Sequence, residues 1–171
     1  MKPTLEERFY SKVDLNGPIP DNHPELAPCH LWIAWINRGG YGEFSLGKIH
    51  VKAHRLAYEL AFGPIPDGML IDHKCLNRAC VNPLHLRLAT ASQNNQNIGL
   101  TKLNTSGRKG VHWDKKRGKW RTQIRRSGKL TNLGWFDTPE MAHVAYCIAA
   151  SEYFGEFANS GYSSVNPKAL A

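Results

Sequence analysis

Hydrophobic and polar positions along this chain change period several times, and each change predicts an element. Leu5, Phe9 and Val13 fit one helical face behind a Thr4/Glu7 capping box, which predicts a short helix over residues 4–13. Pro18, Pro20, Pro24 and Pro28 then keep the backbone extended as far as Cys29. LWIAWI (31–36) predicts a buried strand with Trp32 and Trp35 in the core, Gly39-Gly40 a turn, and YGEFSL (41–46) its partner. Gly47-Lys48 turns the chain again into IHVKA. HRLAYELAF (54–62) sets Leu56, Ala57 and Leu60 on one side of a helix that Gly63-Pro64 stops. Thr90 and Gln93 read as another capping box, opening a helix just before Asn94.

Residues 98–106 show no strong period and predict a spacer. From Gly99 to Ser106, if extended, it reaches on the order of 25 to 30 Å, a little less than one DNA turn of roughly 34 Å. Beyond it the pattern predicts three strands and a helix. In GKWRTQIRR, Trp120, Thr122 and Ile124 alternate with Lys119, Arg121, Gln123 and Arg125, giving one apolar and one basic face. The helix begins at Thr138 with Pro139 in its first turn. Ala142, Ala145, Tyr146, Ala149 and Tyr153 form its stripe, and Gly155 ends it. Packed on the apolar face of the sheet, this helix leaves the basic face open, and Cys147 within it reads as a core residue.

Charge sharpens the division. Residues 1–100 carry ten Lys+Arg against nine Asp+Glu, net +1, whereas residues 101–171 carry twelve against five, net +7. The basic excess, concentrated from Arg108 to Lys129, suits a polyanion, with a merely solvated face as the bland alternative. At 171 residues the chain makes one domain or two small ones, and a small domain profits from a metal staple. Met1 to Leu15 is charged and lacks an apolar run, so neither secretion nor a membrane span is expected. A reducing cytoplasm suits four cysteines used as thiols rather than disulfides.

The chemistry gathers between Leu70 and Asn97, in LIDHKCLNRACVNPLHLRLATASQNNQN. Phosphodiester cleavage needs a base to deprotonate water and a cation to hold charge on the phosphate and the leaving oxygen. His73 is the candidate base, since an unperturbed imidazole titrates near ~6.5. Asp72, next to it, would point to the opposite face of a strand, so a bend or bulge is needed to bring both into one site. Asn94 offers an amide oxygen in a first helical turn, and Mg2+ takes one or two such oxygen ligands. Cys75-x4-Cys80-x4-His85, with Cys29 as the only plausible fourth sulfur, suits a closed tetrahedral zinc site of structural kind. The alternative is that these are reduced core cysteines. A zinc deaminase is disfavoured, because the H-x-E with P-C-x-x-C signature is missing.

DHKCLNRACVNPLHL followed by Asn94 resembles the HNH or His-Me finger endonucleases, in particular their His-Cys box homing branch, with a ββα-metal core. The resemblance implies that His73 is the general base and that Asn94 and Asp72 ligate a catalytic Mg2+ (or Mn2+). It also implies structural Zn2+ on Cys29, Cys75, Cys80 and His85. Such enzymes often place an arginine near the scissile phosphate; Arg55 is the candidate, a surface arginine at a helix start being the alternative. The sequence departs from the simplest pattern at His85, where a middle Asn usually orients the base, and at Asn94, where the last His would bind metal. A backbone carbonyl is the expected substitute for the missing orienting Asn.

KGVHW, GKWRTQIR, LGWFDTPEMAHVAYCIAA and YFGEFAN, in that order, resemble the Apetala or ethylene-response-factor type DNA-binding domain. This implies DNA-facing positions at Lys109, His112, Arg117, Lys119, Gln123, Arg125 and Asn132, to which the alternation adds Arg121. Asn132 departs from the groove-contacting Trp of plant domains, so a target sequence is not carried over. The expected architecture is α+β: a zinc-stapled ββα-metal nuclease domain (1–98), a linker (99–106), a three-stranded antiparallel sheet packed on one helix (107–160) and a C-terminal tail (161–171). The expected activity is site-specific cleavage of double-stranded DNA by a monomer or homodimer, phage-encoded and acting in the host cytoplasm. A non-catalytic zinc-containing DNA-binding regulator is the alternative from another class. RNA binding is weaker, because the exposed face is basic rather than aromatic.

Overall fold

In the computed structural model, residues 2–101 and 103–161 are described, so the expected tail lies outside the described residues beyond Gly161. The chain divides into two compact units, Met1–Asn94 and Asn95–Ala171. Both are mixed α and β, with small antiparallel sheets, as the sequence pattern predicts.

The first unit begins with helix α1 (Leu5–Tyr10), where Thr4 and Glu7 make the reciprocal bonds of a capping box. Strand β1 (Val13–Asp14) pairs with β2 (Leu31–Trp32), and β3 (Glu43–Leu46) with β4 (Ile49–Lys52). Helix α2 (Ala53–Phe62) follows without a break. Strand β5 (Leu70–His73) then pairs with β6 (Leu86–Ala89), and α3 (Ala91–Gln96) completes the order strand, strand, helix. The core is aromatic: Phe9 lies 5.1 Å from Trp32 and 5.6 Å from Phe44 between ring centroids, over Ala53, Leu56 and Ala57 of α2 and Ile71 of β5. Gly42 is required there, because a Cβ would lie 2.4 Å from Trp32 Cδ1.

LWIAWI is not the buried strand its composition predicts. Only Leu31 and Trp32 are extended in a sheet, while Ile33 and Trp35 are 64% and 63% exposed. The reason lies in the backbone partners. Ile33 N–H is taken by Lys12 O, and Trp35 O accepts from Glu43 N–H and from the Trp32 indole, so the segment bends instead of continuing. Trp35 lines an open cavity of about 360 Å3 with Arg8 and Lys12. The Gly39-Gly40 turn does form, with Gly40 N–H on Asn37 O, but the main partner of β3 is β4.

In the second unit β7 (Val111–Asp114), β8 (Lys119–Arg126) and β9 (Lys129–Phe136) form one sheet in that order, with a register shift between Thr122 and Gln123. Helix α4 (Pro139–Phe154) starts at Thr138, whose hydroxyl accepts from Met141 N–H. Ala142, Tyr146, Ala149 and Ala150 are buried in it, and Tyr146 and Ala149 pack with Ile124. Gly110, at φ +75, lets the backbone pass the Tyr146 ring, where a Cβ would lie 2.2 Å away. Tyr153, expected on the buried stripe, is 36% exposed and carries the Arg126 guanidinium 4.8 Å over its ring. Residues expected as a spacer make hydrogen bonds within this unit: Lys109 Nζ donates to Ile98 O, and Ser106 Oγ to Val111 O.

Candidate nuclease site and DNA-facing sheet

Cys29, Cys75, Cys80 and His85 meet as expected. All four are buried, and their ligand atoms lie within 4.8 Å of one another. Cys29 and Cys80 Sγ stand 3.6 and 3.5 Å from His85 Nδ1. A tetrahedral zinc with Zn–S of ~2.3 Å and Zn–N of ~2.0 Å has an S···N edge of about 3.5 Å, so the donor set fits that ion. Local structure builds it. Asn82 caps the single 3-10 turn Pro83–His85 through Leu84 N–H, and its amide donates to Pro28 O beside Cys29. Burial and the nearby Cys80 push the Cys29 thiol up to about 11. Cys75 is also raised, by its hydrogen bond with Cys80 and by burial, while that same bond lowers Cys80. Three thiolates in one dry pocket therefore need a cation before all can ionise. Cys147 is half-buried in α4 with His143 Nε2 3.4 Å away, outside this set.

The knot also positions the candidate base. His73 is 6% exposed at the end of β5, and its Nε2 donates to the carbonyl of Cys80 at 3.1 Å. That bond fixes the Nε2–H tautomer and leaves the lone pair on Nδ1, the task that a middle Asn performs in the simpler motif. Burial lowers the His73 pKa, helped by the Arg78 charge, while the Cys80 carbonyl and Asp72 act in the opposite sense. The ring is therefore neutral and able to accept a proton.

His54, at the start of α2, lies 4.7 Å from His73 between ring centroids, and Tyr41 lies 5.2 Å from His54. Burial first, and then electrostatic coupling to His73, bring His54 down to about 3, and its buried Nδ1 has no hydrogen-bond partner among the described residues. Arg78 and Lys52 sit 5.3 and 5.8 Å over the Tyr41 ring, which adds cations beside the two imidazoles. Arg55, next to His54, is half-buried. Tyr41 was not indicated as a site group by side-chain pattern, since it acts through packing, whereas the backbone carbonyl expected to orient His73 is that of Cys80.

Asp72 behaves as strand alternation dictates. The β5/β6 register runs unbroken from Leu70↔Ala89 to His73↔Leu86, without the bulge expected to turn Asp72 toward its neighbour. Asp72 is 4% exposed and Oδ2 accepts from Arg87 Nε at 2.9 Å, across the ladder. Asn94 is half-buried in α3, whose start is fixed by reciprocal Thr90 and Gln93 bonds, so the predicted capping box forms.

On the second unit, Arg121 pairs with His112 and Trp135, and Gln123 with Asn132. These residues, with Lys119 and Arg125, therefore share the face opposite buried Thr122 and Ile124. Arg117 in the β7/β8 turn donates to Asp114 Oδ2 at 3.2 Å. Lys109 is engaged differently: burial brings it down to about 8, and its ammonium is bound to the two carbonyls of residues 96 and 98.

A family described as HNH endonuclease matches residues 51–96, and one described as AP2 domain matches residues 106–156. Protein 3.8 of Escherichia phage T7 is 39% identical over 110 residues, covering 63% of this chain and 88% of that protein. Residues 51–96 thus form an HNH endonuclease domain, followed by an AP2 domain. An uncharacterized HNH endonuclease of Acanthamoeba polyphaga mimivirus is 32% identical over 126 residues, 72% of this chain and 64% of that protein. Protein 7.7 of Escherichia phage T7 is 36% identical over 73 residues, and the chain spans 56% of its length. No solved structure matches. The nuclease match holds α2, His73, the knot from Cys75 to His85, and Asn94, while the AP2 match holds the basic sheet and α4. Both domains point to DNA. Among the described residues no helix is long and apolar enough to cross a membrane.

Proposed function

We propose that this protein is a site-specific, homing-type DNA endonuclease in which the HNH unit cuts and the AP2 unit supplies affinity and register. The observation that carries the reading is the bond from His73 Nε2 to the Cys80 carbonyl, which gives a buried imidazole one tautomer inside the HNH match. His73 Nδ1 takes a proton from water as the water oxygen forms its bond to phosphorus, and the bond from phosphorus to the 3′ oxygen breaks. Arg78, Lys52 and Arg55 favour the approach of the phosphodiester by charge. Arg55 is assigned to the scissile phosphate itself.

Asn94 would hold the catalytic cation, with Asp72, in an unbroken strand and bound to Arg87, assigned as its second ligand by the resemblance. A carboxylate has about four lone-pair directions, so Asp72 can keep its Arg87 bond and still act as a ligand. When bound, Mg2+ (or Mn2+) supplies charge stabilisation at the phosphate and the leaving oxygen. Zn2+ on Cys29, Cys75, Cys80 and His85 supplies a structural staple. A tethered reader raises the effective concentration of DNA at a single cutting site. The phage relatives support an enzyme made during infection and acting on DNA in the bacterial host cytoplasm, as monomer or homodimer.

One observation favours the non-catalytic regulator: the Asp72–Arg87 ion pair, which a purely structural strand pair would also form. Supercoiled plasmid incubated with the protein in Mg2+ and in EDTA separates the two. Nicked or linear product in Mg2+ alone is expected, and retention of supercoiled DNA in both, with binding intact, leaves the regulator.

A further inference from the structure

The sheet of the second unit carries an indole among its basic side chains. Trp135 stands opposite Arg121 in the β8/β9 register, while Leu133 packs on the helix side. The shift between Thr122 and Gln123 is what returns both Asn132 and Trp135 to the outer face. Trp135 is 37% exposed there.

Its orientation is fixed from two directions. Nε1–H donates to Asp114 Oδ2 at 2.8 Å, and the Arg117 guanidinium carbon lies 4.4 Å above the ring. Arg117 Nη1 reaches the same carboxylate oxygen at 3.2 Å. Asp114 Oδ1 also accepts from Lys116 and Arg117 N–H, winding the turn that carries Arg117. The bond from Trp135 is the largest of the influences that hold the Asp114 carboxyl below its ordinary range. Carboxylate, guanidinium and indole thus form one ordered unit at the end of the sheet, and a side chain ordered beforehand loses less entropy on binding. A sheet of this width enters the major groove, where an apolar ring edge meets thymine methyl groups and an arginine meets phosphate or guanine.

We propose that Trp135 is a DNA-contacting residue that also holds Arg117 stacked on its ring, so that the two enter the duplex together. This rests on the reading of the sheet as the DNA-facing surface. The test measures affinity of the full chain for a mixed-sequence duplex over a salt series, without added magnesium, for wild type, Trp135→Ala, Trp135→Phe, Arg117→Ala and Arg125→Ala.

Trp135→Ala is expected to weaken binding about tenfold and, by freeing Arg117, to lower the salt slope toward that of Arg117→Ala, which falls by about one. Trp135→Phe keeps the ring and should retain most of the affinity. It also serves if the alanine variant does not fold: DNA should change the tryptophan emission of wild type and leave that of Trp135→Phe nearly unchanged. Wild-type affinity and slope in Trp135→Ala, with Arg125→Ala weakened, overturn the proposal and leave the DNA-facing sheet standing. If Arg125→Ala also binds as wild type, the sheet reading falls with it. Equal emission changes in wild type and Trp135→Phe contradict the contact directly.

Discussion

The two units solve opposite problems with similar amounts of chain. In the HNH unit the groups that matter are hidden: His73, Asp72, His54 and the four knot residues are each at least nine-tenths buried. In the AP2 unit Lys119 and Arg125 stand exposed on a sheet that α4 supports from behind. Proton transfer needs an imidazole with one tautomer and little water, whereas recognition of a polyanion needs long, solvated cations. The means of holding them differ accordingly. Every sheet of the HNH unit has only two strands among the described residues, too little to fix a site by itself, and the donor knot ties Cys29 to the loop beside His73. The AP2 unit relies on Ile124, Tyr146, Ala149 and Ala150 packed between sheet and helix.

This contrast is most easily broken at the knot. Chelation, or Cys80→Ser, should unfold the first unit and leave the second intact, because structural zinc contributes on the order of 10 kcal/mol or more. Two separate thermal transitions, of which only one moves, would bear this out. A single shared loss of structure would show that the units do not stand on different supports.

A smaller effect follows from His54. Its folded pKa of about 3 lies below the ordinary 6.5, so below 6.5 the unfolded chain binds a proton that the folded chain excludes. Stability from this group is present above pH 6.5 and is lost as pH falls toward 3, by on the order of a few kcal/mol. His54→Gln should flatten the acid limb of the first unit, read by urea unfolding of zinc-loaded protein at a series of pH values. An unchanged limb would assign the acid sensitivity elsewhere.

On the AP2 side, Arg125→Ala should cost several-fold in DNA affinity and lower the salt slope by about one, with the cleavage step unaltered once DNA is bound. Smallest is the loss of a helix cap. Thr90→Ala removes the acceptor for Gln93 N–H, worth about 1 kcal/mol, and should reduce cutting more than binding because α3 carries Asn94. Equal reductions of both would separate Asn94 from the chemistry.

Much of this was legible in residue order. The ligand spacing, the two capping boxes and the alternation in β8 are all local signals, carried by side chains that act where they stand. What escaped depends on backbone or on distant partners. A backbone carbonyl was expected to orient His73, but that it is the one of Cys80 depends on the fold, since any residue at position 80 would possess it. LWIAWI looks like a core strand by composition, yet Lys12 O and the Glu43 N–H decide where it bends. Lys109 carries the right charge for DNA, but the backbone of residues 96 and 98 claims it. Trp135 escaped a strict count of alternate positions because one register shift changes the phase of β9.

The central claim is that a neutral imidazole at position 73, steered by the Cys80 carbonyl, is the base of a nuclease. Its most direct test is the rate of Mg2+-dependent plasmid scission by wild type and His73→Ala, with DNA affinity measured on the same preparations. Scission by the variant should fall by about two to four orders of magnitude while affinity stays within a few-fold. Undiminished cutting by His73→Ala would contradict it.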